Sequence, residues 1–312
     1  MDSKGKIAIV GAGHVGSHCA MALCADGVGG EIALIDCDAR KAAAQALDLS
    51  DALSNLASDC SVRPGTYDDC ADADIVVIAI GKPWIPGQGR LDLLDSSIQM
   101  LDGLLAALKP IAPRGIVITI TNPADIVADY VRRELDLPRS RAFGTGTLLD
   151  SARLVRILSE LTGVERSDIA AAVLGEHGDS AMIPFSQVRI AGKPIDDFGG
   201  LDRETILRRT RRAGMDIIED KGSTEFGIAQ ALSTLCSAIL GDEKRILPVS
   251  AALEGEFGQR EVSCGVPCVI GRGGIEAIVE PNLPAEELAL LATSCDIIRR
   301  HMTIVNGLSN RC

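Results

Sequence analysis

Aromatic residues are scarce in this 312-residue chain: one Trp, two Tyr and five Phe. So few rings argue against a stacking surface for nucleic-acid bases. With 46% hydrophobic residues, the core has to be built from Ala, Val, Ile and Leu, as in buried parallel strands covered by Ala-rich helices. Basic charge is in deficit too. Lys and Arg number 31 against 43 Asp and Glu, a net charge of −12, which argues against nucleic acid or an anionic membrane as partner. No apolar run reaches membrane-spanning length. Met1–Lys6 leads straight into a strand-like KIAIV, so no signal peptide is expected. Ten cysteines are too dilute for a disulfide scaffold, and Cys264 and Cys268 lack the paired spacing of a zinc site. Reduced thiols in a cytoplasmic protein are the expectation.

What is present is an alternation. Strand-like runs at Ile7–Val10, Ile32–Ile35, Ile75–Ile80 and Ile116–Ile120 are separated by helix-period segments such as Ala39–Leu53 and Leu91–Leu108. This predicts a doubly wound parallel sheet in an α/β chain. Past about Gly144 the pattern changes. It predicts a helix over Leu149–Leu161, a buried strand over Ile169–Leu174, and a hairpin over Val188–Ile195 turning at Ala191–Lys193. Helices over Glu204–Glu219 and Glu225–Leu240 follow, then short strands at Cys268–Ile270 and Ile275–Val279, and a last helix after Pro284. The expected organisation is a Rossmann domain over residues 1–145 and an α+β domain over 146–312, intimately packed.

The first strand feeds VGAGHVGSH, with Gly11, Gly13 and Gly16 in G-x-G-x-x-G spacing. Such a turn lets the backbone approach a pyrophosphate at the N-terminus of the next helix. Asp36, twenty residues past Gly16, stands at the end of the second strand, where a carboxylate binds a ribose diol and repels a 2′-phosphate. NAD is therefore the expected cofactor. His14 and His18 share a helix but have no third ligand nearby, so no metal is expected.

Hydride transfer to a ketone needs a proton donor, and histidine holds and releases a proton near neutral pH. His177, in LGEHGDS, follows the predicted buried strand and sits in a Gly- and carboxylate-rich loop. In GTGTLLDSARLVR, Asp150 and Arg153 are three apart on one helix face. Asp150 is a candidate to orient the imidazole, and Arg153 to fork a substrate carboxylate. A plain intrahelical ion pair explains the same spacing. The loop GKPWIPGQGR follows the Ile75–Ile80 strand and ends at Arg90, placed to stabilise charge on a reacting carbonyl. Asn122, in TITNPADI, suits either a bridge between cofactor and substrate or the N-cap of the next helix.

Together, GAGHVGS, TNPAD, GTGTLLDSAR and GEHGDS occur in the order and spacing of the lactate and malate dehydrogenases, and from Lys6 to the last helix the chain resembles that family. The resemblance implies His177 as acid/base with Asp150 as its partner, Arg153 as carboxylate fork and Arg90 as lid arginine. It implies NAD contacts from Gly11, Gly13, Gly16, Asp36 and Asn122, and places Thr224, in KGSTEFGIA, beside the substrate side chain as in lactate-type members. Two departures stand out. The specificity position six before Arg90 is Trp84, where the family typically has Gln for pyruvate or Arg for oxaloacetate. A neutral indole leaves a second carboxylate unpaired, which disfavours malate. It leaves open pyruvate or the bulkier 2-oxo acids of L-2-hydroxyisocaproate dehydrogenases. Val155 and Ala170 replace the Arg and His of members activated by fructose 1,6-bisphosphate, so no such activation is expected. The family reading is an NAD-dependent L-2-hydroxy-acid dehydrogenase, chiefly interconverting pyruvate and L-lactate in the cytoplasm as a homo-oligomer, with tetramer preferred. NAD-dependent glycosidases and a non-catalytic NAD-binding protein are the weaker alternatives.

Overall fold

The computed structural model describes the main chain of residues 5–81 and 90–309 and the side chains of 5–81 and 97–304. Trp84 lies outside the described residues; so does the side chain of Arg90.

Six parallel strands form the N-terminal part of a nine-stranded sheet: β1 (Lys6–Val10), β2 (Glu31–Ile35), β3 (Ser61–Pro64), β4 (Ile75–Ile78), β5 (Ile116–Thr119) and β6 (Ala142–Gly144). Their order across the sheet is β3-β2-β1-β4-β5-β6. Helices α1 (His14–Ala25), α2 (Ala39–Leu53), α3 (Arg90–Ile111) and α4 (Ala124–Glu134) connect them. This is the doubly wound arrangement, with its order reversing between β1 and β4. The four strands expected from apolar runs are all present. β3 carries no apolar run, since only Val62 among its residues is even half-buried. β6 was missed because three residues are too few to show one.

Beyond β6 come α5 (Leu148–Thr162), β7 (Ile169–Ala170), β8 (Arg189–Ile190), β9 (Lys193–Pro194), α6 (Arg203–Lys221) and α7 (Phe226–Leu240). Then follow β10 (Arg245–Glu254), β11 (Arg260–Gly271), β12 (Gly274–Ile278) and α8 (Ala285–Ser309). The expected hairpin is β8–β9, turning through Ala191 (φ 47) and Gly192 (φ 77), the positive pair that two-residue hairpin turns require. Two expectations need correction. The strand predicted over Ile169–Leu174 is regular only at Ile169–Ala170, and Leu174 instead forms a lone bridge to Met182. The short strands near the end are parts of a long antiparallel meander, in which β10 pairs β11 over almost its whole length. A proline, Pro248, interrupts the strand pattern of β10 in the sequence.

This meander joins the parallel sheet through one register pair, Ser250 opposite Gly144. A single hydrophobic core runs from Ile7 in β1 to Met302 in α8, and a second, smaller one lies beneath α5, α6 and the β7–β9 sheet. Phe143 and Tyr130 are the only aromatic residues in the buried core among the described residues, in keeping with the aliphatic composition.

Candidate active site

Gly11, Asp36, Asn122 and the turn that leads into α5 lie at the carboxyl ends of parallel strands, because each strand of a doubly wound sheet ends in a loop on that edge. β1 runs into Gly11, β2 into Asp36, β5 into Asn122, and β6 into the turn before α5.

The three glycines of the first turn serve different needs. Gly11 has φ +108°, and a Cβ there would stand 2.5 Å from the Ala79 carbonyl oxygen beyond β4. A Cβ on Gly16 would fall 1.9 Å from the Gly11 carbonyl oxygen. Both are demanded by the fold. Gly13, the N-cap residue of α1, would meet nothing closer than Lys41 Nζ at 3.8 Å. Its bareness leaves the α1 N-terminus open to a phosphate group. Asp36 does more than the sequence suggested. Its Oδ2 accepts the Ala12 N–H at 2.9 Å and its Oδ1 the Asp38 N–H at 3.1 Å, so it also braces the glycine turn. Burial works against its charge, but these N–H groups, the Cys37 thiol and Lys41 hold the carboxyl below its ordinary value. The residues present therefore fit NAD: an open glycine turn, a helix N-terminus for the pyrophosphate and an ionised carboxylate for the ribose.

The second cluster is built on the first turn of α5. Asp150 Oδ2 lies 2.6 Å from His177 Nδ1, and Asp150 Oδ1 accepts from Arg153 Nη1 at 2.9 Å. Asp150 and Arg153 are thus an intrahelical ion pair and also part of a three-residue cluster. An ionised carboxylate only accepts, so Nδ1 carries the proton and Nε2 is the nitrogen left to face a ligand. Burial opposes the charge on Asp150, but the His177 ring and the Arg153 guanidinium outweigh it and hold the carboxyl low. In return the Asp150 carboxylate, against the pull of burial, raises His177 above its usual value. About a quarter of the His177 side chain, 23%, remains accessible.

The His177 loop is held at several points. Leu174 and Met182 exchange both main-chain hydrogen bonds at its neck, and Gly175 and Gly265 do the same onto β11. Thr147 and Ser151 of the α5 N-terminus bond the main chain of Val173. Arg211 from α6 donates to the Ala181 carbonyl, and Ser294 from α8 accepts the Glu176 N–H. Finally, Asp125 in the first turn of α4 accepts the His177 N–H at 2.8 Å and the Ser250 hydroxyl at 2.6 Å.

Asp125 and Ser250 were not singled out from the sequence. Asp125 sits in the TNPAD motif, but an acid in a helix's first turn is ordinary; Ser250 lies in the unrecognised β10. Asn122 is exposed and does not cap α4, since Pro123 holds the N-cap position; the Asn122 carbonyl accepts from Ser97. Thr224 is half-buried between α6 and α7, where Gly227 of α7 packs on Leu149. Gly214 in α6 faces Arg153: a Cβ there would meet Nη1 and Nη2 at 3.3 Å. Val155 is half-buried on α5, and Ala170 is exposed on β7. Among the described residues no group of three His, Cys, Asp or Glu is arranged to hold a metal, and no helix is long and apolar enough to cross a membrane.

Known proteins are similar to this chain in sequence and fold over nearly its whole length. L-lactate dehydrogenase 3 of Bacillus cereus is 41% identical over 96% of this chain and 98% of its own length. Among solved structures, the minor L-lactate dehydrogenase of Enterococcus mundtii in its ligands-bound form has a TM-score of 0.93 at 32% identity, covering 97% of this chain and 98% of that one. The lactate dehydrogenase of Cryptosporidium parvum, complexed with lactic acid and NAD, has a TM-score of 0.93 at 29% identity, covering 98% and 99%. Residues 5–144 match the lactate/malate dehydrogenase NAD binding domain, and residues 147–306 match the family's alpha/beta C-terminal domain. With the dinucleotide turn and both matched regions in place, the chain belongs to the lactate/malate dehydrogenase family and takes NAD as its cofactor.

Proposed function

We propose that this protein is an NAD-dependent L-lactate dehydrogenase, reducing pyruvate and oxidising L-lactate. The observation that carries the reading is the Asp150–His177 pair at 2.6 Å beside the Arg153 guanidinium. NAD, when bound, supplies the hydride acceptor or donor. His177 gives its Nε2 proton to the forming alkoxide in reduction and takes it back in oxidation. Asp150 stays ionised, fixes the tautomer and stabilises the imidazolium. Arg153 keeps Nη1 on Asp150, and we assign the rest of its fork to the substrate carboxylate. Gly11, Gly13, Gly16, Asp36 and Asn122 are assigned to the cofactor; Arg90, Trp84 and Thr224 to the substrate's carbonyl and side chain. We place the boundary between cofactor and substrate domains at 145/146; that the matched regions are 5–144 and 147–306 supports this placement.

The test is His177→Asn. Turnover of pyruvate should fall by roughly 10²–10⁴-fold, the usual weight of a general acid, with NADH affinity measured by fluorescence left intact. Wild-type-like turnover would refute the assignment. Trp84 supports a second reading, bulkier 2-oxo acids, because an indole has apolar surface to offer a longer side chain. Initial rates with pyruvate, 2-oxoisocaproate and oxaloacetate separate the two; oxaloacetate should be the poorest, its second carboxylate finding no cation at position 84. A cytoplasmic homo-oligomer, a tetramer by preference, without activation by fructose 1,6-bisphosphate, completes the proposal.

A further inference from the structure

The roles above leave unused the buried carboxylate nearest the His177 main chain. Asp125 is 3% exposed. Its Oδ2 accepts the His177 N–H at 2.8 Å and its Oδ1 the Ser250 hydroxyl at 2.6 Å. Burying a carboxylate with two neutral partners is unfavourable, and nearby groups offset this only in part. The residue sits in the first turn of α4, at the positive end of the helix. Ser250 is delivered by the one register pair joining β10 to β6. His177 is therefore gripped twice, its ring by Asp150 from α5 and its main chain by Asp125 from α4.

We propose that Asp125 is a positioning residue for His177, aligning the ring on Asp150 through the main chain and helping, as a second negative charge, to keep the proton on the imidazole. The proposal rests on the reading of His177 as the proton donor. Charged groups around this histidine are Asp150 and Arg153 from α5 and Asp125 from α4, Arg211 from α6, which bonds the Ala181 carbonyl, and Glu176 and Asp179 from its own loop; β10, β11 and α8 contribute the neutral Ser250, Gly265 and Ser294. Asp150 and then Asp125 favour the protonated ring, whereas Arg153 opposes it. Burial pushes Asp125 itself up to about 6, against the Ser250 and His177 hydrogen bonds that pull it down. It is thus ionised over the range in which a raised His177 gives up its proton.

Asp125→Asn separates charge from shape, because an amide oxygen still accepts the His177 N–H while its NH₂ turns to Ser250. The rate at which diethyl pyrocarbonate modifies His177, followed by peptide mass spectrometry across pH in the cofactor-free protein, reports the neutral fraction of the ring. In Asp125→Asn the midpoint should move down by about half a unit to one unit, the effect of removing one nearby charge. Ser250→Ala should move it the same way by less, since an unpartnered carboxylate stays protonated to higher pH. In pyruvate reduction, the alkaline limb of kcat/KM should shift with the midpoint, while NADH affinity stays put. An unmoved midpoint in folded Asp125→Asn overturns the proposal, as does an unmoved midpoint in Ser250→Ala should the Asn variant not fold. The modification needs no turnover, so a wild-type protein that fails to reduce pyruvate would sink the assigned reaction and leave this test standing.

Discussion

Gly13 and Gly16 belong to one motif and answer to different forces. Adding a methyl group at Gly16 drives it to 1.9 Å from the Gly11 carbonyl, whereas at Gly13 the nearest atom is the mobile end of Lys41 at 3.8 Å. Gly16→Ala should therefore lower the melting temperature clearly, through overpacking of about 1–3 kcal/mol or more. Gly13→Ala should leave melting nearly unchanged and weaken NADH binding by about tenfold, roughly 1.4 kcal/mol. Calorimetry with fluorescence titration checks both; a Gly13→Ala protein with unaltered NADH affinity would remove Gly13 from the cofactor's path. At this scale the sequence was highly legible. Spacing points to Gly11, Asp36, Asp150 and Arg153, and a loop rich in Gly and carboxylates after an apolar run points to His177. Neither points to Asp125, because its significance lies in two partners 52 and 125 residues away in the chain.

Helices that carry an apolar stripe and a cap were readable almost to the residue, as with α2, which begins after Asp38 because that side chain accepts the Arg40 N–H. α6 likewise starts where Asp202 caps Glu204 and Thr205. Elements defined by pairing were not readable: β3 is polar, and β6 is only three residues long. α6 also contains a glycine in its interior, Gly214, which destabilises a helix by about 1 kcal/mol relative to alanine. Its missing side chain faces the Arg153 guanidinium at 3.3 Å. Gly214→Ala should therefore stabilise α6 slightly while pushing the fork aside by a few tenths of an ångström. The expected outcome is a melting temperature equal to or above wild type with KM for pyruvate raised several-fold. A stabilised variant with unchanged KM would show that the fork does not need the space.

For the whole molecule, the buried site makes stability depend on pH in a definite direction. His177 is raised above 6.5 by Asp150, so its contribution is fully present below 6.5 and lost as pH rises through its folded value. Asp150 is held below 3.8; its contribution is present above 3.8 and lost as pH falls through the lower folded value. Asp125, pushed up to about 6 by burial, favours the fold most below 3.8 and less as pH climbs through about 6. Asp125 predicts a melting temperature that declines as pH rises from 3.8 through about 6, and His177 a further decline above 6.5. Asp125→Asn should flatten the first decline and His177→Asn the second, as thermal denaturation at a series of pH values would show. A wild-type slope in both variants would contradict these shifts. The net charge of −12 does not bear on this site, because Arg153 supplies positive charge locally.

The sequence by itself determined the class of fold and the glycine turn that suits NAD, and it named the candidate site residues, because apolar periodicity and short motifs are local properties of the chain. It also determined that nearly the whole core would be aliphatic. Only the tertiary structure decided how the His177 loop is held. Gly175 meets Gly265 of β11, Arg211 reaches from α6, and Asp125 and Ser250 converge from α4 and β10. These contacts join residues far apart in the chain, and each requires that a buried donor or acceptor find a partner. That requirement operates only once the elements have packed.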